Sequence, residues 1–118
     1  MAESTPLVSI TSTVYNTRPY LLDMIKSILG QTFTDFEFVL LDDGSTDGSL
    51  ELAQSVVDPR IRVFSNGTNR GRSYTLNRLT GLSRGQYIAR MDSDDLSAPT
   101  RIERQVELIR SLDEYALV

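Results

Sequence analysis

The sequence predicts an α/β fold built on an open, mostly parallel sheet with helices on both faces. Three observations lead there. Short apolar runs alternate along the chain with segments whose apolar residues recur at helical spacing. Strand–helix alternation of this kind calls for crossover connections, and hence for a parallel sheet covered on both sides. Two of the runs end in acidic clusters, Asp42-Asp43 and Asp92-Ser93-Asp94-Asp95, which puts both clusters at the edge where ligands of open sheets bind.

The elements follow in order. Val8 to Thr13 reads as the first strand. A helix from Pro19 to Gln31 has proline in its first turn and a stripe of Leu21, Leu22, Ile25, Ile28 and Leu29. Phe36 to Leu41 is the second strand. Ser45-Thr46-Asp47 caps a second helix that turns Leu50, Ala53 and Val57 inward and ends at Asp58-Pro59. Ile61 to Phe64 is a short third strand, and Ser65 to Gly71 a loop. The third helix runs from Ser73 to Ser83 on Leu76, Leu79 and Leu82, with Gly85 marking its end. Tyr87 to Met91 is the fourth strand, expected to be buried. The last helix starts at Pro99 with a stripe of Ile102, Val106 and Ile109, flanked by Gln105, Leu108 and Leu112. Tyr115 to Val118 reads as the opening of a further strand.

At 118 residues the chain fits one domain, taken as residues 1–118. No apolar run approaches the roughly 20 residues that span a membrane. The N-terminus lacks the basic start and apolar core of a signal peptide. The expectation is a cytoplasmic protein, in solution or at the cytoplasmic face of a membrane. Cysteine and histidine are both absent, so thiol chemistry is excluded, any metal is held by oxygen, and a general base is a carboxylate, or else Tyr or Lys. A net charge of −4 argues against a nucleic-acid surface.

The acidic clusters carry the chemistry. Crowded carboxylates repel, and each prefers water or a counter-cation, so two clusters on one sheet edge point to a hard metal ion and a ligand that it bridges. With the first strand central, the second and third on one side and the fourth on the other, the switch point lies between strands 1 and 4. Tyr15-Asn16 then faces Asp92-Ser93-Asp94, with Asp42-Asp43 alongside. At Asp92 and Asp94 one carboxylate can reach ribose hydroxyls while the other holds a cation that neutralises a pyrophosphate. The alternative is a solvated Asx-rich turn. The stretch from Asp43 to Gly48 imitates the start of a calcium-binding EF-hand loop. Gln54 at its twelfth position and the strand before it argue against that, and a strand-end Asp accepting a nucleobase imide N–H fits better.

Tyr15 suits stacking on a base, or packing on the following helix. Arg70 or Arg72 suits phosphate, with an ordinary surface loop as the alternative. Asn77 suits ligand contact or loop pinning. A Rossmann-like crevice that takes a nucleotide is the combined expectation.

These residues resemble those of family 2 glycosyltransferases of the GT-A fold, in the nucleotide-binding half. The resemblance runs from Pro6 to Leu112. Its motifs are Val8-Ser9-Ile10 with Val14-Tyr15-Asn16, Ser27 to Phe33, Asp42 to Asp47, Asn69-Arg70-Gly71 with Leu76-Asn77, Gly85 to Asp95, and Pro99 with Arg101 and Gln105. It implies a truncated GT-A sheet that binds a nucleotide-diphosphate sugar, commonly a UDP-sugar, with Mg²⁺ or Mn²⁺, and that serves transfer to an acceptor hydroxyl with inversion. By the same resemblance Thr13, Tyr15, Asn16, Asp43, Arg70, Asn77 and Asp92 line the nucleotide site, Asp43 taking the uracil N3–H. Asp94, with Asp92, holds the metal, and Asp42 and Asp95 stand behind them. Many members carry Pro where this chain has Thr13. The catalytic base is expected beyond Val118, and the acceptor, whether carbohydrate, lipid or protein, is not specified. The edge left at the end of the sheet is a candidate for self-association. Two other readings are a non-catalytic scaffold that keeps the fold and a phosphoacceptor receiver domain. The receiver lacks its acidic pair after strand 1 and its lysine after strand 5, since the only lysine is Lys26.

Overall fold

A computed structural model of the protein describes residues 5–113. It contains β1 (Val8–Val14), α1 (Arg18–Leu29), β2 (Phe36–Asp42), α2 (Ser49–Ser55), β3 (Ile61–Ser65), α3 (Arg72–Leu82), β4 (Tyr87–Arg90) and α4 (Arg101–Asp113). The four strands form one sheet in the order β3-β2-β1-β4, every neighbouring pair parallel. This is the order expected from the sequence, with the switch point between β1 and β4. The strand expected at Tyr115–Val118 lies outside the described residues.

Strand alternation sorts the side chains onto two faces. Val8, Ile10 and Val14 of β1 and Phe36, Phe38 and Leu40 of β2 pack on Leu21, Met24, Ile25 and Ile28 of α1, Ala53 of α2, and Ile102 and Val106 of α4. Val39 and Leu41 of β2 face the other way, onto Leu79 of α3, with Phe64 and Leu82 beside them. Three helices therefore cover one face and α3 alone covers the second.

That thinner face is stiffened by a buried charge. Glu37, 2% exposed, accepts hydrogen bonds from Ser9 Oγ of β1 (2.5 Å), Arg62 Nη1 of β3 (2.7 Å), and the backbone N–H and Nε of Arg84 after α3 (2.6 and 3.0 Å). Burial by itself raises a carboxyl pKa. Here these donors outweigh it and hold Glu37 at about 2. Next to it, Gly85 donates its N–H to Ser9 Oγ (2.7 Å), and a Cβ on Gly85 would lie 2.5 Å from the Ser9 nitrogen. Close backbone approach, rather than a left-handed helix cap, is what requires glycine there; α3 closes at Ser83 in an extended conformation.

Several element boundaries and orientations differ from expectation. Pro99 is not the first residue of α4: its carbonyl accepts the Thr32 N–H (2.8 Å), and the helix starts at Arg101. Likewise α2 starts at Ser49, because Asp47 turns its carboxylate onto the Ser49 N–H (3.0 Å), and Ser45 and Thr46 bond to Asn16. Val57 lies beyond the end of α2 and is 97% exposed rather than inward. Leu22 falls on the rim of α1, and Leu108 and Leu112 stand out of α4. Strand β4, expected to be buried, alternates between half-buried and exposed, because among the described residues it pairs only with β1. No helix among the described residues is long and apolar enough to cross a membrane.

Glu37 sets a pH dependence. Its folded-state pKa lies below the ordinary 4.5, so its stabilisation is complete above pH 4.5 and is lost as pH falls towards 2. The full effect is about 3 kcal/mol. Urea unfolding of Glu37→Gln is expected to show a lower midpoint at pH 7 and a shallower fall between pH 4.5 and 2 than the unsubstituted chain. Parallel pH curves would remove Glu37 from that role.

Candidate nucleotide-binding crevice

The carboxyl ends of β1 and β2 are aligned, Val14 opposite Asp42 in register, and β4 ends beside them where the Met91 N–H donates to the Thr11 carbonyl (2.9 Å). Everything that follows those ends is thereby brought to one edge.

Alternation splits the first acidic pair. Asp42 points to the α1–α2 side, where Oδ2 accepts the Ser45 N–H (3.0 Å); its Oδ1 is buried without a hydrogen-bond partner among the described residues. Asp43 points to the α3 side and is 6% exposed. Its Oδ1 accepts the Arg70 N–H (2.7 Å) and Asn66 Nδ2 (2.9 Å), and its Oδ2 accepts the Gly71 N–H (3.2 Å). Burial raises its pKa, but these donors prevail and hold it below the usual carboxylate range, so Asp43 is an ionised acceptor. A carboxylate has about four lone-pair sites. Three N–H groups converge on it, and the Thr75 hydroxyl stands beside them.

The loop that supplies those donors is itself fixed. Arg78 Nη1 donates to Asn66 Oδ1 (2.8 Å) and the Ser65 carbonyl (2.9 Å), and Asn66 Nδ2 also reaches Thr75 Oγ1 (3.0 Å). Gly44, at φ +78°, lets the loop come close: a Cβ there would lie 2.5 Å from the Asn69 nitrogen.

Two adjoining cavities open at this edge. One, about 220 Å³, is lined by Thr13, Tyr15, Asp43, Asn69, Gly71, Arg72 and Thr75. The second, about 280 Å³, is lined by Thr13, Tyr15, Thr17, Arg72, Asp92, Ser93 and Asp94. Thr13, Tyr15 and Arg72 are common to both, so Asp43 and the Asp92–Asp94 pair look into one continuous crevice from its two ends. Asp92, Asp94 and Asp95 are exposed, with one carboxylate oxygen of each within 4.8 Å of the others. A turn closed by the Asp95 N–H on the Asp92 carbonyl (3.2 Å) gathers them. Three hard oxygen donors at this spacing fit a cation such as Mg²⁺ or Mn²⁺.

Of the residues expected from the sequence, Thr13, Tyr15, Asp43, Asp92 and Asp94 line this crevice. Asp95 stands with the carboxylate group, and Asp42 faces away. Asn16 joins the loops after β1 and β2: at φ 51° its N–H donates to Ser45 Oγ (2.9 Å) and its Oδ1 accepts the Thr46 N–H (2.8 Å). Arg70 contributes its backbone to Asp43, while its guanidinium lies over the Tyr74 ring (5.5 Å to the centroid). Asn77 is exposed, on the side of α3 opposite Thr75 and Leu79. Arg72, weighed from the sequence only beside Arg70, is the arginine that lines both cavities. Ser93 and Asn69 belong to motifs singled out in the sequence without a role of their own, and Thr17 and Thr75 carry no sequence signal of this kind. Arg72, Thr75 and Leu79 form an i, i+3, i+7 row, which is visible in the sequence once α3 is started at Arg72.

A parallel open sheet with an acidic, arginine-bearing crevice at its switch point has its opening where open α/β sheets take their ligands. Residues 9–118 match the family described as Glycosyl transferase family 2, and the chain belongs to that family. Among curated relatives, it is 39% identical over 118 residues to the putative glycosyltransferase EpsE of Bacillus subtilis, covering 98% of this chain and 42% of EpsE. It is 41% identical over 100 residues to the chondroitin synthase of Escherichia coli, covering 83% of this chain and 14% of the synthase. Among solved structures, S. aureus TarS 1-349 in complex with UDP-GlcNAc superposes with a TM-score of 0.82 at 25% identity, over 88% of this chain and 31% of that one. The chain thus spans less than half the length of these relatives.

The close approach at Gly44 is testable. Ala at Gly44 meets backbone, whereas Ala at Gly67, which has the same φ of +78°, meets open space. Gly67→Ala is expected to cost about 1–2 kcal/mol from backbone strain alone, and Gly44→Ala at least about 1 kcal/mol more by displacing the loop. Urea denaturation decides, and equal losses would refute the packing argument.

Proposed function

We propose that the chain is the donor-binding part of a glycosyltransferase that uses a nucleotide-diphosphate sugar, a UDP-sugar, with Mg²⁺ or Mn²⁺. The observation that carries this reading is the single crevice with two chemically different ends. At the Asp43 end, an ionised, rigidly held carboxylate lining the crevice accepts the imide N–H of uracil, and Tyr15 offers its ring to the base. At the other end, Asp92 and Asp94 would hold the cation, with Asp92 also within reach of the ribose; a bound dication there offsets the negative charge of the diphosphate. Arg72, between the ends, is assigned to the phosphates, a role for which a planar guanidinium is suited.

Family membership and the UDP-GlcNAc carried by TarS support this donor class. Transfer to an acceptor hydroxyl with inversion is the reaction assigned to the whole protein. The general base for that step is not among the residues named here.

Calorimetric titration with UDP, with and without Mn²⁺, tests the proposal. The expected result is binding that tightens at least about tenfold with Mn²⁺, and loss of that enhancement in Asp94→Ala. Equal affinity with and without Mn²⁺ would overturn the cation role, and no UDP binding by the folded protein would overturn the whole reading.

A further inference from the structure

Gln31 leaves the end of α1 outside both cavities, yet it is only 4% exposed. A buried primary amide is tolerated where its donors and acceptor are met. Here Nε2 donates to the Ala98 carbonyl (2.8 Å) and the Ser27 carbonyl (3.1 Å), while Oε1 accepts the Ile102 N–H (3.1 Å). Reversing the amide would set acceptor against acceptor at Ala98 and donor against donor at Ile102, so one orientation satisfies the site.

The neighbours of Gln31 act on the same stretch of chain. The Thr32 N–H donates to the Pro99 carbonyl (2.8 Å), and Ser27 Oγ accepts the Ser97 N–H (3.1 Å). Residues 97, 98 and 99 are therefore each tied to the end of α1. Upstream, Met91 is tied to β1 through the Thr11 carbonyl, and Arg101 Nη2 holds the Arg90 carbonyl (3.0 Å). The span between the two anchorages, residues 92–96, carries all three exposed carboxylates.

We infer that Gln31 is a positioning residue for the acidic loop: its amide fixes Ala98 and the first turn of α4, and so sets the spacing of the Asp92, Asp94 and Asp95 carboxylates. The inference rests on the cation role proposed for that cluster. Three like charges relax by moving apart, and a short span held at both ends limits how far its backbone can let them do so. Gln31 grips the downstream end from both the loop and the α4 side with a buried side chain, while the exposed Thr32 Oγ1 reaches the Pro99 carbonyl (3.2 Å) and Glu103 Oε2 (2.8 Å) and Arg101 Nη1 holds Ser97 Oγ (2.9 Å). It makes no contact with the Asp43 cradle, which is built from β2, the 66–71 loop and α3.

The test separates the two ends of the crevice. Mn²⁺ binding is read by electron paramagnetic resonance without nucleotide, and binding of uridine, which lacks the diphosphate, is read by NMR without metal. In Gln31→Met the Mn²⁺ dissociation constant is expected to rise about tenfold or more, with uridine affinity within about twofold of the unsubstituted protein. Glu37→Gln, which weakens the fold at the opposite end of β2, is expected to leave Mn²⁺ affinity unchanged. Ser27→Ala, which removes only the acceptor for the Ser97 N–H, is expected to weaken Mn²⁺ binding by a smaller factor, and it decides the question if Gln31→Met does not fold. Unchanged Mn²⁺ affinity in Gln31→Met and Ser27→Ala, or Mn²⁺ and uridine affinities falling together, would overturn the inference. Unsubstituted protein that binds no Mn²⁺ would overturn it along with the cation role, whereas Mn²⁺ binding lost in Asp94→Ala but indifferent to Gln31 and Ser27 would overturn the inference alone.

Discussion

The ligand-facing edge of this protein is organised around one buried charge, the carboxylate of Asp43. An ionised carboxylate taken out of water costs several kcal/mol unless donors replace its hydration. The protein supplies three, two of them backbone N–H groups from the loop after β3. Each charge-assisted bond contributes about 1.5–3 kcal/mol, so the set offsets the burial only if the loop keeps its path. The loop is consequently fixed by the charge it solvates, and the first turn of α3, with Arg72, is fixed with it. Gly44 and Arg78 serve the same end, one by giving the loop room and the other by bracing Asn66.

A second buried carboxylate on the same strand completes the arrangement. Glu37 and Asp43 share one face of β2, at its two ends. Asp43 binds the entry to α3 through Arg70 and Gly71; Glu37 binds its exit through Arg84, and Arg62, which also reaches the Leu82 carbonyl (3.0 Å). The apolar contact under α3 is small, Val39, Leu41 and Leu79 with two half-buried neighbours, against fourteen buried residues under α1, α2 and α4. The helix with the weaker apolar footing is the one fastened at both ends by charge. This accounts for Ser9 being buried on that face of β1: it completes a hydrogen-bonded layer where the other face has a hydrocarbon one.

Strand order, the helices on both faces and the meeting of Tyr15, Asp43 and Asp94 in one crevice were legible in the sequence, because each follows from periodicity and from position at a strand end. The errors share a cause as well. Arg72 rather than Arg70 lines the crevice because Arg72 opens α3, whereas Arg70 precedes the Gly71 cap and lays its guanidinium over Tyr74. Gly71 caps the helix without a side-chain hydrogen bond, which leaves no capping signature to read. Asn16 carries the polarity of a ligand contact but is consumed by a loop-to-loop bond that only the fold creates. Pro99 sits where helices usually start, yet its carbonyl is claimed by Thr32, sixty-seven positions away in the chain. Local rules place elements, but they do not place partners distant in sequence.

The two acidic clusters look alike as strings of aspartate and differ in how their charge is compensated. The Asp43 charge is compensated from within: protein donors surround it, and its carboxylate borders the crevice. Asp92, Asp94 and Asp95 are held at the backbone by tethers to β1, α1 and α4, while their carboxylates stand exposed and close together. The first design suits an acceptor that must be accurately aimed and already charged. The second leaves a concentrated negative potential that solvent screens only partly, and that a dication relieves at lower cost than repositioning the chain. The separation of the clusters onto β2 and the β4 exit therefore gives the crevice one end whose charge the protein compensates and one end whose charge stands open to solvent. Arg72 stands between them as the one cation lining both cavities.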